Sequence, residues 1–247
     1  MEPPARVLAA PLIPGRLRGL NASAVAGLNL RCGGETVAVG DLFEVSGAAD
    51  DELVLAGDLR RFDWVGARMT SGEIVVHGDV GSWAGAEMSG GVLRIFGDVG
   101  ARPAAAYPGA RTGMTGGEII VSGDAGEEAG AGMRRGLVAV GGRTGAGAGL
   151  RMLAGTVIAL GGIGTEAGVG NKRGSLVSGR PLEPLPSYAF ATRYRPPALG
   201  LQLRRLHELG LTVDEALLRG TWARWSGDRT ELTRGEILIF DGEEERR

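Results

Sequence analysis

The sequence predicts an all-β fold, a right-handed, single-stranded parallel β-helix with coils of about nineteen residues and a short α-helical C-terminal extension. Glycine supplies 45 of the 247 residues, about 18%, against roughly 7% in average proteins. These glycines recur at a fixed spacing, and the methionines keep the same spacing. Each period also holds one short apolar segment rich in β-branched residues. A fixed period below about thirty residues with one strand per copy is typical of a solenoid.

The repeat is defined by three sets of residues that stay in phase. The first glycine set advances in steps of 19, 26, 19, 19 and 19 residues: Gly72, Gly91, Gly117, Gly136, Gly155 and Gly174. A methionine set keeps these steps, with an asparagine in the sixth place: Met69, Met88, Met114, Met133, Met152 and Asn171. The second glycine set is Gly81, Gly100, Gly126, Gly145 and Gly164. Equivalent residues of stacked coils would lie about 4.8 Å apart, so six coils predict a cylinder of roughly 29 Å.

Each copy contains one short strand, which is too short to form hairpins across the intervening turns. The predicted strands are Ile74–Val76, Leu93–Ile95, Ile119–Val121, Val138–Val140 and Val157–Ala159. Glycine suits the corners between coils because those turns need a positive φ. The methionines are predicted to point inwards as an adaptable apolar ladder. The recurring aspartates are predicted to cap backbone amides at the turns: Asp58, Asp79, Asp98 and Asp124.

The sequence predicts no catalytic, cofactor-binding or metal-binding residue. Cys32 is the only cysteine, and His77 and His207 are the only histidines, so the methionine column has no companion ligands for copper. A calcium β-roll is disfavoured because it needs an Asp in every nonapeptide. Segment Val138–Gly149 looks like a strand and a dinucleotide-binding loop, but Leu150–Met152 continues the repeat where that site needs a helix.

Composition excludes several classes of partner. The net charge is −2, which disfavours nucleic acid and anionic membranes as partners, since both favour a basic excess. No apolar stretch is long enough to span a bilayer, and Met1–Pro14 does not look like a signal peptide. We therefore expect a cytoplasmic protein. Lys172 is the only lysine, and this Arg-rich composition suggests a bacterial genome rich in G and C.

The chain divides into three predicted segments. Residues 1–52 form an N-terminal capping segment with irregular first coils, residues 53–180 form the repeat domain, and residues 181–247 form an extended and helical extension. Two segments are interpreted as irregular first coils, Thr36–Asp41 and Leu53–Asp58.

The C-terminal extension begins with prolines that leave the repeat. Apolar residues at helical spacing predict a first short helix: Leu199, Leu203, Leu206 and Gly210. Thr212 and Glu215 are interpreted as a capping box that opens a second helix through Arg219. The extension is predicted to end with a strand at Gly235–Phe240 and a charged tail at Glu243–Arg247. For Trp222 and Trp225 a packing role is preferred over an interface role.

The 26-residue step carries an insertion of seven residues, placed at 102–111. Solenoids accommodate insertions as loops on one face, and such loops commonly bind partners. A protruding loop with Tyr107 near its tip and a loop that fills a groove on its own coil are equally compatible with the sequence. A second candidate surface is a basic stripe beside the Met and Asn positions, formed by Arg134, Arg135, Arg151, Lys172 and Arg173. The candidate partner contacts are Arg102, Tyr107, Pro108, Arg111, Arg134, Arg135 and Arg173.

The repeat, the segment Tyr107–Gly117 and the ending resemble a known family. The ending carries Gly227–Asp228 and Gly235–Leu238. Together these features resemble the C subunit of formylmethanofuran dehydrogenase and of its bacterial relative, the formyltransferase/hydrolase complex of methylotrophs. The coil pattern alone is also similar to the C-terminal solenoid of glutamate synthase. The insertion and the ending favour the first family.

The resemblance implies a function in one-carbon metabolism. The bacterial complex transfers a formyl group from formyl-tetrahydromethanopterin to a methanofuran-type carrier and hydrolyses it to formate. Its other subunits include a zinc-dependent amidohydrolase-like hydrolase, a formyltransferase and an inactive dehydrogenase-like subunit. The archaeal enzyme instead reduces carbon dioxide with a tungsten or molybdenum pterin and iron–sulfur clusters on other subunits.

In both versions the C subunit is similar to a scaffold and carries no catalytic residue, so the carrier, the pterin and zinc are expected on partner subunits. The Arg-rich composition favours the bacterial version. The alternatives are the C subunit of a tungsten or molybdenum enzyme and a glutamate synthase-like scaffold domain. A free-standing carbohydrate-binding solenoid is disfavoured because neither stacked aromatics nor clustered carboxylates are expected on one face.

Overall fold

A computed structural model of the chain describes residues 5–48 and 50–242. The strands are β1 (Val7–Leu8), β2 (Asn29–Cys32), β3 (Glu35–Ala38), β4 (Glu52–Ala56), β5 (Phe62–Asp63), β6 (Glu73–His77), β7 (Val92–Ile95), β8 (Glu118–Val121), β9 (Leu137–Val140), β10 (Arg143–Thr144), β11 (Thr156–Ala159), β12 (Gly162–Ile163), β13 (Ser175–Ser178), β14 (Ala189–Tyr194), β15 (Thr221–Gly227) and β16 (Gly235–Gly242). The helices are α1 (Pro14–Leu17), α2 (Ala22–Ala26), α3 (Val39–Leu42), α4 (Pro197–Glu208) and α5 (Glu215–Arg219). The prediction of a mainly β chain with short C-terminal helices is confirmed.

One ten-stranded sheet follows the sequence repeat. Its order is β14-β15-β16-β13-β11-β9-β8-β7-β6-β4. The strands from β4 to β13 pair in parallel, and each residue pairs with its equivalent in the next copy, as Val138 does with Val157. Leu93 pairs with Ile119 across the 26-residue step, so the insertion leaves the register of the sheet unchanged.

A second line of parallel contacts joins the same copies at their next corner. Isolated bridges link Leu59 to Val80, Val80 to Val99, Val99 to Ala125 and Ala125 to Thr144, and β10 pairs with β12. Each copy therefore contacts the next copy on at least two sides.

The space between these two lines is filled by inward-facing apolar side chains. The five predicted methionines form a column in this core, and each is 0% exposed. Burying a side chain of this size stabilises the fold by about 1.5–3 kcal/mol relative to leaving it in water. The predicted methionine ladder is confirmed.

Asn171 ends the methionine column and closes its own turn. Its side-chain Nδ2 donates to the Gly174 carbonyl (2.9 Å), and its Oδ1 accepts from the Gly174 N–H (2.7 Å). Its backbone carbonyl accepts from the Asp228 N–H (3.4 Å). Next to it, the Tyr188 hydroxyl donates to the Gly168 carbonyl (2.9 Å), and burial raises the pKa of Tyr188 to about 12.

The recurring aspartates also behave as predicted. Asp79 Oδ1 accepts from the Asp98 N–H (2.8 Å), and Asp98 Oδ1 accepts from the Asp124 N–H (2.7 Å). Asp124 Oδ1 in turn accepts from the Arg143 N–H (2.7 Å). Each of these three carboxylates thus caps a backbone amide of the following copy, which links successive turns. Asp58 Oδ1 instead accepts from the Arg60 N–H of its own turn (3.1 Å).

The N-terminal segment caps one side of the first copy. Strand β1 pairs in parallel with β5 and antiparallel with β2. The interpretation of Thr36–Asp41 as an irregular coil is wrong, because β2 and β3 form an antiparallel hairpin and α3 follows it. The physical reason is the two-residue turn Gly33–Gly34, in which Gly33 has a φ of 60°. The interpretation of Leu53–Asp58 as a first copy is confirmed by the pairing of β4 with β6.

The C-terminal extension covers the outer face of the sheet. Strand β16 pairs in parallel with β13, and β15 and β14 follow in antiparallel order. Helix α4 buries Leu199, Leu203 and Leu206 against the outward residues of the central strands. Trp222 is buried and packs edge-on against Phe240 (5.4 Å between ring centroids), as its predicted packing role requires.

The predicted capping box of the second C-terminal helix is wrong. Helix α5 begins at Glu215, and its N-cap is Asp214, whose side chain accepts from the Ala216 N–H (2.9 Å). Asp214 lies one residue before the helix, where its carboxylate reaches the free amides of the first turn. Thr212 lies too far upstream to do so. The charged tail Glu243–Arg247 lies outside the described residues.

Candidate functional site

The corner of the coil that carries the insertion has an unusual backbone. Equivalent residues of successive copies all have a positive φ: Trp64 (69°), Trp83 (65°), Arg102 (64°), Glu128 (57°), Gly147 (73°) and Glu166 (58°). Their amides donate to the next copy in one repeating pattern, from Trp64 to Ser82 and from Trp83 to Ala101. A positive φ is uncommon outside glycine and is strained for a bulky residue, and such strain clusters at functional sites.

Aromatic rings and guanidinium groups form a chain of contacts at this corner, which we call the aromatic corner (Trp64, Arg68, Trp83, Arg102 and Tyr107). The Trp64 ring stacks on Trp83 (4.9 Å between centroids) and on Tyr107 (4.1 Å). The Arg68 guanidinium carbon lies 4.2 Å from the centre of the Tyr107 ring, and that of Arg102 lies 5.1 Å from the Trp83 ring. Both are distances at which a cation is attracted to an aromatic face.

Two carboxylates hold the arginines of the aromatic corner. Arg102 forms two hydrogen bonds with Glu128, at 2.8 and 3.0 Å. This hydrogen bonding lowers the pKa of Glu128 and raises that of Arg102. Arg68 Nε donates to Glu87 Oε2 (3.0 Å), and Glu87 Oε1 accepts from the Tyr107 N–H (3.3 Å). The ion pairs therefore orient the guanidinium groups and also hold the start of the insertion.

The insertion has a pinned base and an exposed tip. At its base, the Ala106 N–H donates to Ala131 and the Gly113 N–H donates to Gly132. At its tip, the Ala110 N–H donates to the Tyr107 carbonyl (2.8 Å), and Gly109 has a φ of 87°. Pro108 and Gly109 thus occupy the central positions of a type II turn. Tyr107 starts this turn with its ring folded back onto the coil, whereas residues 108–111 are exposed.

An open pocket of about 330 Å³ lies beside this loop. Its lining includes Arg102, Tyr107, Arg111, Leu150 and Arg151. Arg111 and Arg151 are exposed and form no ion pair with any other described residue. The pocket therefore combines aromatic and aliphatic walls with an excess of positive charge.

The structure divides the predicted contact residues into two groups. Arg102, Tyr107 and Arg111 line the pocket, and Pro108 lies at the loop tip. Arg134, Arg135 and Arg173 are exposed on the turn after the methionine column and do not line the pocket. Lys172 of the same stripe pairs with Glu231 (3.4 Å).

Trp64, Trp83 and Arg68 are site residues that were not predicted from the sequence. The expectation that no stacked aromatics are present is also wrong, because Trp64, Trp83 and Tyr107 stack. The sequence does contain a signal for the two tryptophans, because Trp64 and Trp83 are one period apart and equivalent residues of neighbouring copies stack. Each of the three rings already has two partners within the aromatic corner, so the stack does not present the free ring faces that a sugar would need.

The histidines lie elsewhere. His77 is exposed and stacks on Phe96 (5.2 Å between centroids), and His207 Nδ1 lies 3.2 Å from the Leu211 carbonyl oxygen. Within residues 5–48 and 50–242, no group of three or more His, Cys, Asp or Glu side chains could hold a metal ion. None of the helices in these ranges has the length and apolar character needed to cross a membrane.

Comparison with known proteins gives local sequence matches to two kinds of complex. No family model matches the chain. It is 38% identical over 85 residues to the C subunit of the tungsten-containing formylmethanofuran dehydrogenase 2 of Methanothermobacter thermautotrophicus, a match that covers 32% of each chain. It is 37% identical over 78 residues to the C subunit of the formyltransferase/hydrolase complex Fhc of Methylorubrum extorquens, covering 32% of this chain and 29% of the relative. These matches span about a third of the length of the curated relatives.

The structural comparison extends the similarity to almost the whole chain. A chain of the crystal structure of the formyltransferase/hydrolase complex FhcABCD from Methylorubrum extorquens, solved in complex with methylofuran, superposes with a TM-score of 0.80. The two chains are 30% identical, and the match covers 97% of each. The chain belongs to the family of C subunits of these complexes. Its relatives are subunits of enzyme complexes, as the sequence resemblance predicts.

Proposed function

We propose that the chain is a non-catalytic structural subunit of a formyltransferase/hydrolase complex. This complex would transfer formyl from formyl-tetrahydromethanopterin to a methanofuran-type carrier and hydrolyse it to formate. The observation that carries the proposal is the full-length match, 97% of both chains, to a chain of the FhcABCD structure. The carrier, the pterin and zinc would be bound by the hydrolase, transferase and dehydrogenase-like partners, in the cytoplasm.

The scaffold part of the proposal rests on the architecture. We interpret the stacked parallel copies as a right-handed single-stranded β-helix at 53–180, capped by segments 1–52 and 181–247. Its interior is filled by apolar side chains, so partners can meet it only on its outer surface. The exposed loop tip and the pocket beside it, with Arg102, Tyr107, Pro108 and Arg111, would form one contact surface.

Purification of the tagged chain from its native host, followed by native mass spectrometry, tests the proposal. We expect the chain to co-purify with hydrolase-like and transferase-like subunits. A lone monomer after mild purification would contradict the scaffold role. The metal content of the complex separates the two family versions, since zinc without tungsten or molybdenum supports the hydrolytic version. Tungsten or molybdenum with iron would support the C subunit of a formylmethanofuran dehydrogenase, which the identity to the archaeal relative favours.

The basic stripe adds a second contact to this proposal. Arg134, Arg135 and Arg173 are exposed beside the end of the methionine column and would attract an acidic neighbour or the polyglutamyl arm of the carrier. The double variant Arg135→Gln with Arg173→Gln should have a higher KM for the carrier, and this KM should depend less on salt concentration. Its kcat should change little. Arg219→Gln on α5 is a control with the same kind of charge change. Unchanged assembly and KM in the double variant would overturn the role of the stripe.

A further inference from the structure

The ten-stranded sheet ends at the first repeat strand, β4, whose outer edge has no neighbouring strand in the described part of the chain. In β4 the odd-numbered residues face β6, as shown by the bonds from the Gly57 N–H to the His77 carbonyl (3.1 Å) and from the Glu73 N–H to the Asp51 carbonyl (2.7 Å). Val54 and Ala56 therefore direct their N–H and C=O groups away from β6. Among the described residues, these groups have no backbone partner.

The repeat is covered at its far end and at one side of its first copy, and the sheet ends beyond it at β14, which within residues 5–48 and 50–242 pairs with β15 alone. Strand β16 covers β13 at the far end, and β1 covers β5 in the first copy. The N-terminal segment thus caps the first copy at β5 but not at β4. Natural proteins protect exposed strand edges because an uncovered edge is a template for pairing with another chain.

The uncovered edge borders a groove of about 390 Å³, which we call the β4 slot. Its lining includes Leu53–Ala56 of β4 and the non-helical segment Phe43–Ser46. The apolar side chains of Leu12, Val25 and Val39 also line it. The backbone groups of Glu44, Val45 and Ser46 form no hydrogen bond with the backbone of any other described residue. Both lining segments therefore have backbone groups available to hydrogen-bond with an inserted strand.

The rim of the slot is acidic. Glu44 lines the slot, and Asp50 and Glu52 line an adjoining groove that shares Leu53 and Val54 with it. All three carboxylates are exposed and have no ion-pair partner among residues 5–48 and 50–242, whereas Asp51 pairs with Arg18. A second copy of this chain paired through β4 would not neutralise these carboxylates, because residues 50–58 contain no lysine or arginine. A basic occupant would satisfy them.

We propose that the β4 slot binds an extended segment of a partner subunit as an additional strand on β4. The segment would carry apolar side chains at alternate positions, facing the groove, and lysine or arginine near its ends. In this mode the main chain supplies affinity and the alternate side chains supply specificity. The inference rests on the proposed function, because it requires a partner subunit.

Hydrogen–deuterium exchange on the free chain and on the purified complex tests the slot directly. We expect the Val54 and Ala56 amides to exchange freely in the free chain and to slow by ~10-fold or more in the complex. A complex in which both amides exchange as in the free chain would overturn this inference and leave the proposed function standing. Absence of any co-purifying subunit would overturn both.

Val54→Pro removes one edge-facing N–H and leaves the β4–β6 bonds in place, since proline is tolerated at a strand edge where the N–H is unpaired. Val54→Thr is the matched control, because it keeps the N–H and the branched side chain. We expect both variants to fold, with partner affinity lowered by ~10-fold or more for Val54→Pro and little changed for Val54→Thr. Equal affinities of the two variants would overturn the proposal. A dimer of the chain alone that Val54→Pro abolishes would also overturn it, because the occupant would then be a second copy.

Discussion

Asn171, at the end of the methionine column, is held by hydrogen bonds that a methionine could not make. A repeat alignment makes methionine the consensus at this position, so Asn171→Met brings the sequence closer to its own repeat. Consensus substitutions commonly stabilise proteins. We expect this one to destabilise the fold, because Asn171 is fully buried and both of its side-chain polar atoms bond to Gly174.

The magnitude follows from the two lost hydrogen bonds. Methionine leaves the Gly174 N–H buried without a partner, which costs about 1–3 kcal/mol. The Gly174 carbonyl loses its bond to Asn171 but still accepts from the Glu236 N–H (3.0 Å), so this loss costs only about 0.5–1.5 kcal/mol. The added apolar side chain would offset about 1.5–3 kcal/mol if it were accommodated well. The space is tight, since a Cβ on Gly235 would lie 2.7 Å from Asn171 Nδ2, and overpacking costs about 1–3 kcal/mol. The net destabilisation should be about 3 kcal/mol.

Thermal and urea unfolding of the purified chain measure this difference. A change of about 3 kcal/mol lowers Tm by roughly 6–12 °C in a chain of this size. Met152→Leu is the control one copy earlier, a volume-conserving exchange that should cost less than about 1.5 kcal/mol. An Asn171→Met variant as stable as the parent chain would show that the column, and not the hydrogen bonds, decides the residue at this position.

Two further predictions concern the aromatic corner. Tyr107→Ala should free the insertion and speed limited cleavage by trypsin after Arg111 by about 5–30-fold, because the contacts of the ring are worth about 1–2 kcal/mol. Tyr107→Phe keeps the ring, so this variant should be cleaved at the parental rate. Equal cleavage rates for the parent and both variants would contradict the role of the Tyr107 ring in holding the loop. Glu128→Gln removes the charge that pairs with Arg102 and should cost less than about 1 kcal/mol at neutral pH, since the pair is partly exposed. The folded-state pKa of Glu128 lies below its ordinary value of 4.5, so this stabilisation is present above pH 4.5 and is lost as the pH falls through the lower folded pKa. Urea unfolding of parent and variant between pH 7 and pH 3 should therefore show a converging difference, and a difference that grows towards low pH would refute the pairing.

The register of the sheet could be predicted from the sequence because it depends only on the period. Residues one period apart, such as Val138 and Val157, pair as the repeat requires. The same arithmetic could have found the stack of Trp64 on Trp83. It could not have found the contact of Tyr107 with Trp64, because Tyr107 belongs to the non-repeating loop and its partner lies two copies earlier.

The N-terminal segment was harder to predict for a different reason. Its strands are short, and the Gly33–Gly34 turn that makes a hairpin was lost among the many glycines of the repeat. The β4 slot depends on where Phe43–Ser46 lies relative to β4, and no local sequence pattern determines that placement. Tertiary placement of an irregular segment decides whether a sheet edge is covered or open.

The corner with a positive φ has one backbone conformation in successive copies but different contacts in each. The coil backbone imposes a positive φ at this position in every copy, whichever residue is present: Gly147 relieves the strain, and Glu166 bears it without an ion-pair partner among the described residues. Strain alone therefore does not mark a functional residue. Trp64 and Trp83 differ because their rings continue a chain of contacts to Tyr107 and fix the base of the one loop that breaks the period. Trp64 and Trp83 therefore have a structural reason to adopt a positive φ that favours glycine, because their rings fix the position of the insertion. A fixed loop position is what a surface needs if it must meet a partner in one orientation.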